Sequence, residues 1–224
     1  MLNNRKAELE FSSGLRWTHW IRVFAITALT VTGFYIAYVF VAPTPSATPT
    51  LFLNAKFRMW HEAIGFVLIA VTLYKTYLFI FVKSSKVERV SIHDVLSPKV
   101  WIAQIKYYLF LGEHPKLKGA YNPLQFLAYV LLYIMVYMIS ITGLILYARS
   151  YHDGLGGFLL PYMKPLEALM GGLASVREIH HIVMWVILIF VPIHIYMAVF
   201  NSIVSKEGSI DAVISGYKFE KNEA

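Results

Sequence analysis

Four long apolar stretches, roughly residues 21–42, 60–82, 124–148 and 179–204, dominate this chain and leave it few folds to choose from. At about 1.5 Å of rise per residue, each is long enough as a helix to cross the roughly 30 Å of hydrocarbon in a bilayer. Backbone amides in lipid have no water to bond, so they are satisfied inside the span, as a helix satisfies them. Of the 224 residues, 58% are hydrophobic and only 15% charged, and no stretch has the composition of a soluble domain. The expected fold is all-α and integral to the membrane. It is a four-transmembrane-helix bundle forming a single domain over residues 1–224, with lipid around it.

The net charge of +7 raises the question of nucleic acid, but the cations are distributed as a topology signal. Before the first span, between the second and third, and after the fourth lie 13 Lys and Arg, against 5 in the other two connections. By the positive-inside rule both termini are cytoplasmic, in a bacterial inner membrane, and no nucleic-acid partner is expected. Basic residues precede the first span as they would a signal peptide. Its apolar run exceeds the roughly 7–15 residues of such a leader, so it is expected to be retained.

The connections are short. Pro43, Pro45 and Pro49 make the first outer link extended. Between the second and third spans, Ser97-Pro98 followed by Trp101, Ile102, Ile105, Tyr108 and Leu109 reads as a helix start and an apolar stripe, an amphipathic helix on the membrane surface. The connection between the third and fourth spans, 150–176, is too apolar for a free loop and is expected to pack at the outer interface, again with a short helix.

Ionisable residues inside apolar spans are costly, and this chain has a matched set of them in His19, His61, His180 and His194. In the N-in, C-in arrangement His61 and His180 lie at the outer level, His19 and His194 at the inner. His180 and His194 are 14 residues apart, which at about 100° per residue returns to within about 40° of the same face. His181 is about 140° off that face and is rejected as a ligand. Two imidazoles from opposing helices fill both axial positions of a haem iron and favour electron transfer over oxygen chemistry. Copper or zinc would need more ligands at each level. The chain has no cysteine, so disulfides, iron–sulfur clusters and thioether-attached haem are excluded within it.

Other residues cluster around these four. Arg22, Arg58 and Arg177 lie within a turn of a histidine, as haem propionate partners or as interfacial anchors under the same topology rule. Gly33, 14 residues after His19, leaves room beside the backbone for a flat macrocycle, and Gly65 and Gly143 are placed to do the same; close helix packing is the alternative for each. Trp17, Trp20, Trp60 and Trp185 suit aromatic belts or pocket walls. Pro192, two residues before His194, is expected to interrupt the backbone ladder and redirect that imidazole.

The segments Arg16-Trp17-Thr18-His19-Trp20, Thr32-Gly33-Phe34-Tyr35-Ile36, Arg58-Met59-Trp60-His61, Gly119–Gln125, Arg177–His181 and His194–Ala198 together resemble the cytochrome b subunit of membrane-bound nickel–iron hydrogenases, over about residues 16–202. The resemblance implies a four-span subunit with two haem b groups, His61 with His180 at the outer one and His19 with His194 at the inner. It implies the hydrogenase small and large subunits as periplasmic partners, and electron delivery to a membrane quinone, with menaquinone expected. The plan is similar to the gamma subunit of formate dehydrogenase, which shares the pattern at Tyr121, Asn122 and Gln125 and supplies the alternative reading. In these relatives the quinone sits near the inner haem, which makes Asn122, Gln125, His114 and Tyr196 its candidates here. Asn122 before Pro123 also fits a helix N-cap. The chain itself has no ligands for hydrogen-splitting chemistry. A haem-free anchor or transporter is the reading from a different class.

Overall fold

The computed structural model describes residues 5–40, 52–113, 115–204 and 209–221. Among them, four helices are long and apolar enough to cross a membrane: α1 (Ser13–Tyr38), α2 (Leu53–Phe81), α5 (Pro123–Ser150) and α7 (Leu173–Val204). Shorter helices lie between and after them: α3 (Lys86–Val95), α4 (Pro98–Tyr108), α6 (Gly154–Leu169) and α8 (Ser209–Ser215). The all-α, four-span reading holds, and so do the helix after Ser97-Pro98 and a helix in the 150–176 connection. α1, α2 and α7 begin six to eight residues before the apolar runs do, because their first turns carry Arg, Trp and His that a hydrophobicity reading excludes. The first outer link falls outside the described residues. α7 continues as one helix through Pro192, which has no N–H to give the Leu188 carbonyl one turn earlier.

The chain divides into two compact units. The first gathers Met1–His19, Tyr74–Ile134 and Ile187–Ala224. It contains an element the sequence reading missed, a two-stranded antiparallel ribbon of β1 (Arg5–Leu9) and β2 (Tyr217–Lys221), with Arg5 opposite Lys221 and Leu9 opposite Tyr217. The ribbon is tied to the first turn of α1: Arg16 Nη1 donates to the Ile214 carbonyl at 2.7 Å, and Glu10 N to that of Gly216 at 2.9 Å. In the same unit the segment before α5 lies directly on α3. Asp94 Oδ2 accepts from the backbone of Lys118 and Gly119, both at 2.9 Å, and Ser91 Oγ accepts from Tyr121 N at 3.0 Å. A Cβ at position 119 would collide with the backbone of Ser91, so only glycine fits there.

The second unit gathers Trp20–Leu73 and Met135–Val186. Tyr35, fully buried, stacks on Phe57 with ring centroids 3.8 Å apart, and Phe66 meets Tyr147 edge-on at 5.1 Å. Arg149 at the end of α5 forms a two-point pair with Glu167 of α6, at 2.5 and 2.9 Å. Gly171 and Gly172, with φ of 90° and 93°, make the turn from α6 into α7. Trp60 and Trp185 here, and Trp17 in the first unit, are exposed, as residues facing lipid or its interface would be.

Candidate functional site

In the second unit, α2 carries His61 and α7 carries His180, and their rings face each other with centroids 6.5 Å apart. Each ring is gripped from behind by a threonine on another helix. Thr32 Oγ1 of α1 lies 2.9 Å from His61 Nδ1, and Thr142 Oγ1 of α5 lies 2.9 Å from His180 Nδ1. Each threonine is followed by a glycine beside the same ring. A Cβ on Gly33 would sit 3.2 Å from His61 Cε1, and one on Gly143 would sit 3.5 Å from His180 Cε1. At Gly65 a Cβ would meet nothing within 4 Å.

The first unit holds the other pair. His19 of α1 and His194 of α7 have ring centroids 6.3 Å apart. Phe190, one turn earlier on α7, stacks on His194 at 5.7 Å and 11°, and Tyr129 of α5 meets its edge at 5.5 Å. Tyr129 in turn contacts Tyr121 at 4.9 Å. The Tyr121 hydroxyl donates to Glu88 Oε1 at 2.7 Å, and both Glu88 oxygens are held by Lys75 Nζ, at 2.8 and 2.6 Å. Burial, then the Glu88 carboxylate, push the Tyr121 hydroxyl well above its ordinary range. The pair thus rests on an aromatic and charged support reaching back to α2 and α3.

His181 meets the His180 ring edge-on, with centroids 6.5 Å apart, but turns outward on the same helix. It is exposed, and its Nδ1 bonds the Arg177 carbonyl of its own helix at 2.8 Å. Asn122 and Gln125 are brought together as a reciprocal cap on α5: Asn122 Oδ1 accepts from Gln125 N at 2.9 Å, and Gln125 Oε1 from Asn122 N at 3.2 Å. Asn122, which is buried, also donates through Nδ2 to the Tyr108 hydroxyl at 3.0 Å. Tyr196 is 65% exposed and stacks on Phe200 of its own helix. His114 lies outside the described residues.

The model of a protein family described as prokaryotic cytochrome b561 matches residues 10–216. The chain belongs to that family. Similar proteins include a probable Ni/Fe-hydrogenase B-type cytochrome subunit of Rhodobacter capsulatus, 28% identical over 99% of this chain and 85% of that one. Another, from Azotobacter vinelandii, is 30% identical over 95% and 89%. A probable Ni/Fe-hydrogenase 1 B-type cytochrome subunit of Escherichia coli K12 is 29% identical over 94% and 90%.

A b-type cytochrome of this family carries haem b, and the paired imidazoles suit it. Two imidazoles bound end-on to opposite sides of one metal, each at about 2 Å, put their ring centroids roughly 6.3 Å apart. The observed separations are 6.5 and 6.3 Å. Among the described residues no group of three or more His, Cys, Asp or Glu is placed to hold a metal ion. Gly33 and Gly143 supply the clearance beside two of the rings. Of the propionate candidates, Arg58 and Arg177 are exposed and Arg22 half-buried. The sequence reading missed Thr32 and Thr142, although the Thr-Gly dipeptide occurring at both 32–33 and 142–143 was a signal. It also missed Lys75, the one Lys or Arg within residues 60–82.

Proposed function

We propose that this cytochrome is the dihaem b subunit of a respiratory nickel–iron hydrogenase. It anchors the periplasmic small and large subunits to the membrane and passes their electrons across it to a quinone. The observation that carries this reading is the presence of two separate imidazole pairs, each at the spacing that one metal between the rings requires. The relatives named as hydrogenase B-type cytochrome subunits match along 85–90% of their lengths, which supports the choice of partner over formate dehydrogenase. The lysine and arginine distribution supports cytoplasmic termini, an outer His61–His180 pair and an inner His19–His194 pair.

Haem b, when bound with both axial positions filled, supplies one-electron chemistry without a site for oxygen. His61 and His180 would hold one such group and His19 and His194 the other, with Gly33 and Gly143 beside the first pair of rings and Phe190 and Tyr129 against His194. Asn122, Gln125 and Tyr196 remain the candidates for the quinone, and His114 for its proton supply. The buried Asn122–Tyr108 bond places two polar groups close to the start of α5.

The test is purification of the complex from membranes, with haem counted against chain, the reduced spectrum titrated against potential, and the co-purifying subunits identified. Two haem b groups per chain, nickel–iron subunits and hydrogen-driven quinone reduction are expected. One haem or none per chain overturns the dihaem reading. A molybdenum enzyme as partner overturns the hydrogenase assignment alone.

A further inference from the structure

Each of the two threonines behind the His61–His180 pair has one hydroxyl proton, and the surrounding geometry settles where it goes. Thr32 Oγ1 lies 2.8 Å from the Ala28 carbonyl and 3.2 Å from that of Leu29, both in the preceding turn of its own helix. A carbonyl only accepts, so the threonine donates backward and meets His61 Nδ1 as an acceptor. α5 repeats the arrangement. Thr142 Oγ1 lies 2.9 Å from the Met138 carbonyl and 3.0 Å from that of Ile139, and 2.9 Å from His180 Nδ1.

Both imidazoles are therefore Nδ1–H tautomers, with the lone pair on Nε2, the nitrogen that a metal between the rings would take. An acceptor on the far nitrogen also makes the ligating nitrogen more basic. A more basic ligand favours the oxidised metal.

We propose that Thr32 and Thr142 are positioning residues that fix the tautomers of His61 and His180 and hold down the midpoint potential of the haem between them. This rests on the dihaem reading above. Neither threonine touches the metal. The two act alike because each presents its hydroxyl oxygen to the Nδ1 of one ring at 2.9 Å and has a carbonyl of its own preceding turn to donate to.

The experiment is a spectroscopic redox titration of the purified complex, wild type against Thr32→Val, Thr142→Val and the two serine variants. Valine keeps the shape and removes the acceptor. Each valine variant is expected to shift the ferric–ferrous equilibrium of the haem held by His61 and His180 toward the reduced form on the order of tenfold, or ~59 mV upward for one electron. The serine variants are expected to titrate as wild type, and the second haem to stay unmoved throughout. If a valine variant drops the haem, alanine replaces it, and alanine must shift the potential while serine does not. An unmoved potential in a valine or alanine variant removes that threonine from the role, and an equal shift in the serine variant does the same by pointing to shape alone. Wild-type protein lacking two haems would instead sink the dihaem reading, so the two failures are distinguishable.

Discussion

Removing either half of the Lys75–Glu88 pair should cost far more than removing both. Lys75, 7% exposed, lies within α2 and places its ammonium 2.8 and 2.6 Å from the oxygens of Glu88, which is 3% exposed on α3. Glu88→Gln keeps the shape and leaves an acceptor for the Tyr121 hydroxyl, but the ammonium loses its carboxylate in a region where charge is poorly solvated. Breaking such a pair costs about 3–5 kcal/mol, whereas replacing it with neutral groups of similar volume is often close to neutral. Lys75→Met should cost a similar amount, and the double variant on the order of 1 kcal/mol, giving a coupling energy of at least about 5 kcal/mol. For a chain of this length each kcal/mol moves the midpoint by roughly 2–4 °C, so each single variant should melt about 6–20 °C lower and the double only a few degrees lower. The assay is thermal unfolding of the detergent-solubilised complex, followed by helical circular dichroism and by the haem band. Because Glu88 supports Tyr121, and Tyr121 supports Tyr129 against His194, the haem at the His19–His194 pair should be lost first. Single variants within 1 kcal/mol of wild type, or a double variant equal to their sum, would refute the reasoning.

Alanine at His61 or His180 should remove one haem and alanine at His19 or His194 the other, while His181→Ala retains both, as read from reduced spectra and haem content; full content in any of the first four rejects that ligand. Gly33→Ala places a methyl 3.2 Å from His61 Cε1, so the ring must give by a few tenths of an ångström, whereas at Gly143 the 3.5 Å contact is ordinary. The first variant should therefore disturb haem spectrum and potential more than the second, even though each gains up to about 1 kcal/mol of helix propensity; equal spectra would contradict this. Arg149 holds the Glu167 carboxyl below its usual range, so the pair's stabilisation is present above the unfolded pKa and lost as pH falls through the folded one. Glu167→Gln should flatten the melting temperature across that acidic window, and an unchanged acid slope would exclude the pair as its source. Asn122→Ala should lower stability by about 1 kcal/mol through the lost cap. If the quinone reading is right, it should also slow quinone reduction while hydrogen-driven dye reduction persists; normal quinone turnover removes Asn122 from the site.

Much of the paired-histidine arrangement was legible because it depends on periodicity within one helix. The 14 residues between His180 and His194 fix their common face, and the same arithmetic turns His181 away, where it is found exposed. The threonine grips were written in the sequence as two Thr-Gly dipeptides, but which histidine each would meet depends on how α1 packs on α2 and α5 on α7, and no local rule carries that. Lys75 stood as one charge in an apolar run, with its partner across a turn and on a different helix. The ribbon joins residues more than 200 positions apart, too far for any local pattern to pair them. Even so, the alternation of aromatic and charged residues from Tyr217 to Lys221 was a strand signal in its own right.

Only three of the four long helices carry a histidine of either pair, yet α5 is no passive filler. Thr142 backs His180 and Tyr129 borders His194, so α5 supports both α7 ligands without supplying one itself. α7 contributes a histidine to each pair, His180 in the second unit and His194 in the first. A helix that fixes α7 near both imidazoles holds each ring to its partner on α1 or α2. Substitutions on α5 that leave every ligand intact should therefore disturb either haem according to their position along the helix: changes near Tyr129 should act on the pair with His19, and changes near Thr142 on the pair with His61.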